Sequence, residues 1–363
     1  MKFYPFVLFI FALFLTTSCT EDYQLPNMGS QTTIVITGII TNEPGPYYVT
    51  VWENISNIST GEMIRRGIND ARITITDSNG NVDELQSFFS VPIEEEIIES
   101  PYPPYSWYEY YYHIPDGEGG YVKFSASAGM NKIKDDRDGK YFTVITKGNA
   151  GQTYTLSVEY AGKEYIATDY MCYGTVIDSI SVEPLGRYIY DKPDGEDGFL
   201  VPCLYFAEPK DEVNFYMFTY YNYPMPNDQY AYTEPPKNLG LSSIVSENWL
   251  ISTVSDRFMP AYVEKYKISD GDFSRKWYNG TDMGFHIYGQ GWEFGGFVSM
   301  YCITEPLYRY FSALSQQYYD DGAFSPSPAS PPTNLNGGAQ GCFIAASVSQ
   351  YALKLWKNDD EQR

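Results

Sequence analysis

The chain contains little histidine and comparatively few basic side chains. Its 363 residues include 2 histidines and 24 lysines and arginines against 46 aspartates and glutamates, which gives a formal net charge of −22. His113 and His286 have no neighbours at metal-ligand spacing, so we expect no metal site. Because so negative a chain repels phosphate backbones, we expect no nucleic-acid partner.

Local signatures of common enzymes are missing as well. The sequence has no G-x-S-x-G elbow, no H-E-x-x-H motif and no P-loop, and the glycines of residues 289–295 lack the spacing of a dinucleotide fingerprint. A pair of catalytic carboxylates, as in glycosidases, leaves no local pattern, and none of the 46 acidic residues stands out. We therefore predict a protein that is not an enzyme and needs no cofactor, with a glycan hydrolase as the less favoured alternative.

No apolar run is long enough to cross a bilayer as a helix, which takes about 20 residues. Residues 3–15 form an apolar segment after Lys2, which is the arrangement of a secretory signal peptide. Ser18 then precedes Cys19, and a small residue directly before a cysteine resembles a bacterial lipobox. Thr16 stands where that motif usually has leucine, so a plain signal peptide with an incidental cysteine is the alternative.

We predict a signal peptide over residues 1–18, followed by a lipidated Cys19 and a tether over residues 19–30. Several acyl chains, at about 0.8 kcal/mol for each buried methylene, would hold Cys19 to outer-membrane lipid. Glu21 and Asp22 follow at once and resemble the acidic export tag on surface lipoproteins of Bacteroidetes. Exposed linkers are often acidic too, so the outward-facing position that this tag implies is a hypothesis to test.

Four cysteines follow the predicted anchor: Cys172, Cys203, Cys302 and Cys342. An even number in an exported chain suits disulfides and allows three pairings. All four lie in apolar, strand-like surroundings, where buried thiols are common too. No C-x-x-C spacing indicates a metal cluster. The sequence leaves disulfides and buried thiols open, and it leaves the oligomeric state open as well.

Aromatic residues make up 17% of the chain, with 36 tyrosines, and this composition favours strands. Residues 154–160 alternate between apolar and polar positions, Ala161 and Gly162 supply a turn, and residues 163–168 return. Asn79 and Gly80 predict a second hairpin, which we prefer to a calcium-binding loop. The pattern predicts a mainly β protein whose residues 31–172 form an antiparallel sandwich.

Residues 173–363 are predicted to form a second β-rich domain that carries one amphipathic helix at about 304–320. Pro306 suits the first turn of this helix. Leu307, Phe311, Leu314 and Tyr318 recur at helical spacing, so we expect them to pack on a sheet.

An acidic and aromatic insertion, residues 91–120, interrupts the predicted N-terminal sandwich. The prolines of residues 101–113 argue against a regular central strand through the first half of that stretch, so we expect a stiff loop there. Exposed aromatic rings can stack on sugars, peptides or a partner protein. A second loop, residues 220–232, is also rich in tyrosine. The candidate ligand contacts are Tyr102, Tyr105, Trp107, Tyr108, Tyr110, Tyr223 and Tyr230. The alternative for the insertion is that it folds back over its own sandwich.

An ordered set of short motifs resembles a known family. The motifs are residues 35–47, 71–80, 151–158, 162–168, 177–180, 214–216, 256–258, 308–310 and 334–338. Together they resemble the Bacteroidetes lipoproteins grouped as domain of unknown function family 4249, over nearly the full chain after the signal peptide.

This resemblance implies an immunoglobulin- or transthyretin-like N-terminal sandwich and a lipoprotein of the outer membrane, often encoded beside a TonB-dependent receptor. It implies no catalytic residues. We therefore expect an accessory partner of a TonB-dependent transporter that binds an unidentified small molecule, glycan or peptide. The alternative is a structural or adhesive protein of the cell envelope.

Overall fold

The computed structural model describes most of the chain from residue 30 onward. The described residues are 30–57, 62–99, 106–115, 119–126, 128–129, 132–133, 137–184, 199–209, 212–225, 252–268, 285–286, 293–319 and 331–355. Within them the protein is mainly β with one α-helix, which confirms the predicted fold class. In these ranges, no helix has both the length and the hydropathy that crossing a membrane requires.

The first half of the chain contributes fourteen described strands. They are β1 (Ser30–Thr41), β2 (Tyr48–Asn57), β3 (Glu62–Gly67), β4 (Arg72–Asp77), β5 (Val82–Glu84), β6 (Gln86–Ser87), β7 (Glu94–Glu99), β8 (Ser106–Pro115), β9 (Tyr121–Ala126), β10 (Ala128–Gly129), β11 (Lys132–Ile133), β12 (Lys140–Phe142), β13 (Thr153–Tyr160) and β14 (Lys163–Tyr170).

The second half contributes the remaining described strands and the helix. They are β15 (Ile177–Pro184), β16 (Phe199–Ala207), β17 (Phe215–Met225), β18 (Ser252–Ser255), β19 (Tyr262–Lys267), β20 (Phe285–His286), β21 (Glu293–Ile303), α1 (Glu305–Tyr319) and β22 (Gln340–Leu355). Two short 3-10 helices, Phe88–Ser90 and Asp256–Phe258, lie between strands.

A nine-stranded sheet joins the two halves of the chain. Its order is β18-β17-β21-β22-β1-β2-β12-β6, and β3 also pairs with β2. The contact between the halves is the parallel pairing of β1 with β22, from Val35 opposite Gln340 to Thr41 opposite Ala346. Strands from both predicted domains, 31–172 and 173–363, therefore lie in one hydrogen-bonded sheet, and the division between them stays a prediction.

The apolar run in β22 explains its central position. Residues 342–346 are all 0% exposed, because the strand is covered on both faces. Phe343 and Ala345 lie in the sandwich core, whereas Cys342, Ile344 and Ala346 face the core beside α1. A strand that is buried on both faces reads as a continuous apolar run rather than an alternating one.

The N-terminal sandwich forms where the sheet β14-β13-β4-β5 packs on the large sheet. Tyr154, Leu156 and Val158 of β13 meet Ile36 and Ile40 of β1 in a single core, and all five are 0% exposed. The alternation that predicted β13 thus places its apolar side chains in the sandwich core, and this confirms the predicted antiparallel sandwich.

Both predicted hairpins are present. Ala161 and Gly162 have φ values of 49° and 74°, which suits the tight turn between β13 and β14. Between β4 and β5, Asp77 Oδ1 accepts hydrogen bonds from the backbone N–H groups of Asn79 and Asn81, each at 2.9 Å. Because these bonds close the turn, the hairpin interpretation is correct.

The predicted helix is confirmed on the other face of the large sheet. Leu307 and Phe311 of α1 are 1% and 2% exposed, and Leu314 packs partly against the same core. The sheet β15-β16-β19 covers the opposite face of β17 and β21, where Leu204 and Phe206 of β16 are fully buried. The C-terminal half of the large sheet is therefore covered on both faces.

The expectation of a loop is wrong for residues 106–115. This segment is the middle strand of a three-stranded antiparallel sheet, β7-β8-β9. Its backbone pairs with β7 on one side and with β9 on the other, and this pairing outweighs the turn-forming composition before it. Pro101, Pro103 and Pro104 all precede Ser106 in the sequence, so none interrupts the strand.

Candidate functional site

The structure describes only part of the predicted site. Cys19, Glu21, Asp22, Tyr102, Tyr105 and Tyr230 lie outside the described residues. Trp107, Tyr108 and Tyr110 belong to β8, and Tyr223 belongs to β17. Strand β8 lies in the three-stranded sheet and β17 in the nine-stranded sheet, so these candidate residues do not share a sheet.

The aromatic sheet β7-β8-β9 is attached through the second half of β8. Tyr112 and Ile114 are 1% and 0% exposed, and they pack on Tyr48, Phe88 and Phe142. The rings of Phe88 and Tyr112 meet edge to face with their centroids 5.7 Å apart. Residues 106–111 precede this attached segment in the sequence, and as a strand they extend up to about 20 Å from it. One end of the aromatic strand is therefore rigidly fixed to the body.

A cleft of about 210 Å³ lies beside that attachment. One wall is the β1–β2 connection and the other is the segment after β12. The lining residues are Asn42, Glu43, Pro44, Gly45, Pro46, Tyr47, Thr143, Val144, Ile145, Thr146, Lys147, Gly148 and Asn149. Residues 42–46 contain asparagine, proline and glycine, which are typical of a turn, and the opposite wall comes from about 100 residues later in the chain, so the local sequence does not reveal a cleft.

Two tyrosine hydroxyls hold the walls of the cleft. The Tyr47 hydroxyl donates to the carbonyl oxygen of Glu43 at 2.5 Å and accepts from the Gly148 N–H at 2.9 Å. The Tyr154 hydroxyl donates to the carbonyl oxygen of Lys147 at 2.9 Å and accepts from the backbone N–H of Asn149 at 2.8 Å. Burial raises the pKa of Tyr47 to about 12, so its hydroxyl stays protonated as a donor.

A buried aspartate fixes the second wall. Asp83 is 4% exposed, and its Oδ2 accepts hydrogen bonds from the backbone N–H groups of Val144, Ile145 and Thr146 at 2.8–3.0 Å. The Thr146 hydroxyl donates to the same oxygen at 2.7 Å. With both walls held by hydrogen bonds, the cleft is preformed.

The size and polarity of the cleft limit what it can bind. Small-molecule sites usually measure about 300–1,000 Å³, so this one suits a group no larger than a side chain or a single ring. Its lining exposes more polar than apolar surface, and burial raises the pKa of Glu43 above its ordinary value. These features favour a polar, uncharged group that makes hydrogen bonds.

A second polar group is buried at the end of β16. Glu208 accepts hydrogen bonds from Asn214 Nδ2 at 3.0 Å and from the Tyr216 hydroxyl at 2.7 Å, and it hydrogen-bonds Asp256. Burial and the neighbouring Asp256 raise the pKa of Glu208. Glycosidase carboxyl groups stand about 5 Å or more apart, so two acids in hydrogen-bond contact do not have that geometry. This pair, 4% and 7% exposed, ties strand ends together.

A third buried carboxylate lies where three elements meet. Asp169 of β14 accepts from the Thr304 hydroxyl, just before α1, and from the Ala345 N–H of β22, each at 2.7 Å. Burial raises its pKa to about 7, and these hydrogen bonds lower it in part. Across the described ranges, no group of three or more histidine, cysteine, aspartate or glutamate side chains is arranged to hold a metal.

The fold and these sites define a mainly β protein with a sandwich, an attached aromatic sheet and a small polar cleft. The chain belongs to the family described as Domain of unknown function (DUF4249), whose model matches residues 20–352. No curated protein and no solved structure matches the chain significantly. The family membership that the ordered motifs predicted is therefore confirmed.

Proposed function

We propose that this chain is an outer-membrane lipoprotein, anchored through Cys19, that acts as a non-catalytic binding partner of a TonB-dependent transporter. One observation carries the proposal best. The cleft and the attachment of the aromatic sheet both lie at the end of the large sheet opposite the start of β1, where the chain leads back to Cys19.

Strand geometry supports this arrangement. Residues 20–29 can span at most about 35 Å, so the tether would hold Ser30 close to the membrane. The 12 residues of β1 then carry the chain about 40 Å further. The cleft begins directly after Thr41, and Tyr48, which packs under the aromatic sheet, begins the next strand. The cleft and the attachment of the aromatic sheet would thus lie at the end that faces away from the membrane.

The chemistry of these elements suits ligand capture. Strand β8 carries Trp107, Tyr108 and Tyr110, and aromatic side chains combine an apolar ring with hydrogen-bonding groups that suit sugars and peptides. The cleft has a mainly polar lining that suits one small polar group. The choice of a TonB-dependent transporter as the partner rests on the family resemblance.

The proposal is tested by gentle purification of the lipidated protein in detergent. We expect a large β-barrel protein to co-purify with it. A variant with Trp107→Ala, Tyr108→Ala and Tyr110→Ala should lose either the barrel or nutrient uptake. Phe258→Ala is the matched control, because Phe258 is an aromatic residue that is 92% exposed on another part of the molecule. Wild-type protein that brings down no barrel, with uptake unaffected by the triple variant, would overturn the proposal. Loss of attachment with intact uptake would instead favour the structural or adhesive role.

The anchor and its orientation need separate tests. Labelling with an alkyne fatty acid should tag the wild-type protein and fail to tag Cys19→Ala. Replacing Glu21 and Asp22 with alanine should leave the label in place and protect the protein from protease added to whole cells. If added protease still digests that variant, the export-tag hypothesis is wrong.

A further inference from the structure

The structure places two of the four cysteines after the predicted anchor in the same core. Cys302 of β21 lies in the apolar core beneath β16, and Cys172, two residues after β14, packs against the same core. The Cys302 thiol donates to Asn214 Oδ1 at 3.9 Å, and the Cys172 thiol donates to the carbonyl oxygen of Tyr170 at 3.8 Å. Cys342 belongs to the separate core beside α1, and Cys203 lies opposite Ser181 in the ladder of β15 and β16. All four are thiols in this structure.

Hydrogen bonding of the backbone holds Cys172 over Cys302. The Ser347 hydroxyl donates to the carbonyl oxygen of Cys172. Ser347 is the direct cross-strand partner of Cys302, so their side chains lie on the same face of the sheet. The segment approaches that face closely, because a Cβ added at Gly174 would lie 2.8 Å from Cβ of Ser347. The packing of this segment therefore holds Cys172 beside the cross-strand partner of Cys302, on the face of the sheet where the Cys302 side chain lies.

We propose that Cys172 and Cys302 form a disulfide by exchange with a disulfide-bonded donor, such as a thiol oxidoreductase or oxidised glutathione. Of the six single disulfides that four cysteines allow, the packing around Ser347 favours the one between Cys172 and Cys302, and Cys203 and Cys342 would remain buried thiols.

The two thiols differ in a way that sets the order of the exchange. Interaction with the neighbouring Cys302 lowers the pKa of the half-buried Cys172 thiol, whereas that interaction and burial raise the pKa of Cys302. The thiolate is the nucleophile, so Cys172 attacks the donor first. One donor sulfur leaves and a mixed disulfide forms. Cys302 then gives up its proton and attacks the sulfur of Cys172, which releases the second donor sulfur.

The exchange is balanced in atoms and electrons. Two protein thiols are oxidised to one disulfide, and the donor disulfide gains the two electrons and both protons as two thiols. The new bond would close a loop of about 130 residues, and such loops restrict the unfolded chain strongly. It would also join the segment after the small sandwich sheet to the centre of the large sheet.

The test uses the full chain at a series of ratios of oxidised to reduced glutathione. Each sample is quenched in acid, alkylated with a mass tag under denaturing conditions and digested for peptide mapping. We expect a linked peptide that contains Cys172 and Cys302, while Cys203 and Cys342 take up the tag. The oxidised protein should melt several degrees above the reduced protein.

Matched variants separate this pairing from the others. Cys172→Ser, at a half-buried position, should abolish the linked peptide and the difference in melting temperature between oxidised and reduced samples. Cys203→Ala should leave both unchanged. The proposal is overturned if Cys172 and Cys302 are both tagged at the most oxidising ratio, or if either one is linked to a different cysteine. The result does not depend on the membrane anchor, because peptide mapping identifies the peptide of Cys19 separately from the peptides of the other four cysteines.

Discussion

The Thr304 hydroxyl donates to Asp169 Oδ1 at 2.7 Å across 135 residues of sequence. The other oxygen of the same carboxylate accepts from the backbone N–H of Ala345, 176 residues away. One side chain, 6% exposed, therefore ties the small sandwich sheet to the start of α1 and to the central strand β22. The protonation state of Asp169 should influence how firmly these three elements hold together.

We expect Asp169 to make stability depend on pH. Folding raises its pKa from 3.8 to about 7, so the folded state holds the proton more tightly than the unfolded state. Its contribution is then greatest below about pH 4 and falls as the pH rises to about 7, by at most about 4 kcal/mol. Asp169→Asn does not titrate. Its unfolding free energy relative to wild type should therefore rise over that range, as measured by urea denaturation at several pH values.

Asp77→Asn is the control for that experiment. Hydrogen bonds from Asn81 and neighbouring backbone groups lower the pKa of Asp77 from its ordinary 3.8, so its contribution is lost only below about pH 4, and Asp77→Asn should differ from wild type by a constant amount between pH 4 and pH 8. A difference between Asp169→Asn and wild type that stays constant from pH 4 to pH 8 would contradict the assigned pKa.

Tyr154→Phe should weaken the wall of the cleft. The hydroxyl of this fully buried residue accepts from the Asn149 N–H and donates to the Lys147 carbonyl oxygen. Removing it leaves two backbone groups without this partner, so we expect a loss of about 1–3 kcal/mol in unfolding free energy. Tyr170→Phe, at a residue that is 41% exposed, should change it by less than about 0.5 kcal/mol. Equal losses in the two variants would show that the hydroxyl of Tyr154 has no special role.

Ile114→Ala should loosen the aromatic sheet from the body. Ile114 is 0% exposed in the small core that contains Tyr48 and Phe142, and its truncation should cost about 2–5 kcal/mol. We expect faster hydrogen exchange in β7, β8 and β9, with β13 and β14 unchanged. Ile145→Ala removes the same atoms at a position that is 64% exposed, and its exchange pattern should match wild type. Uniformly faster exchange across the whole protein would argue against independent attachment of this sheet.

Removal of β22 should prevent folding. A chain that ends at residue 339 lacks the strand that pairs with both β1 and β21, and it loses the buried residues 342–346. A chain that ends at Leu355 keeps every described strand and should give a wild-type circular dichroism spectrum and melting curve. Cooperative unfolding of the shorter chain would show that the first strands form a stable unit without β22.

Local patterns suffice for the parts of the fold that are close in sequence. Alternation and turn residues predict the hairpin around Ala161 and Gly162, and helical spacing predicts α1 with Leu307 and Phe311 on its buried face. Each of these elements depends on residues within about 20 positions of one another. Their physical cause is therefore contained in the local sequence.

Other features depend on partners that are distant in the chain. The turn after β1 becomes the wall of a cleft only because Asp83 and Tyr154 hold residues 143–149 opposite it. Residues 106–115 form a strand because β7 and β9 satisfy its backbone on both sides. The aromatic residues of β8 favour a strand, but its own sequence does not identify β7 and β9 as its partners, and the proline-rich segment before it favours a loop.

The contact between Val348 and Asn42 spans 306 residues, beside the parallel pairing of β1 with β22. At synthesis rates of about 5–20 residues per second, the first strand waits roughly 15–60 seconds before its last neighbour exists. During that interval β1 cannot pair with β22, so the centre of the large sheet cannot form. Such a delay would keep the chain unfolded while it passes through a translocation channel, which suits the export that we propose.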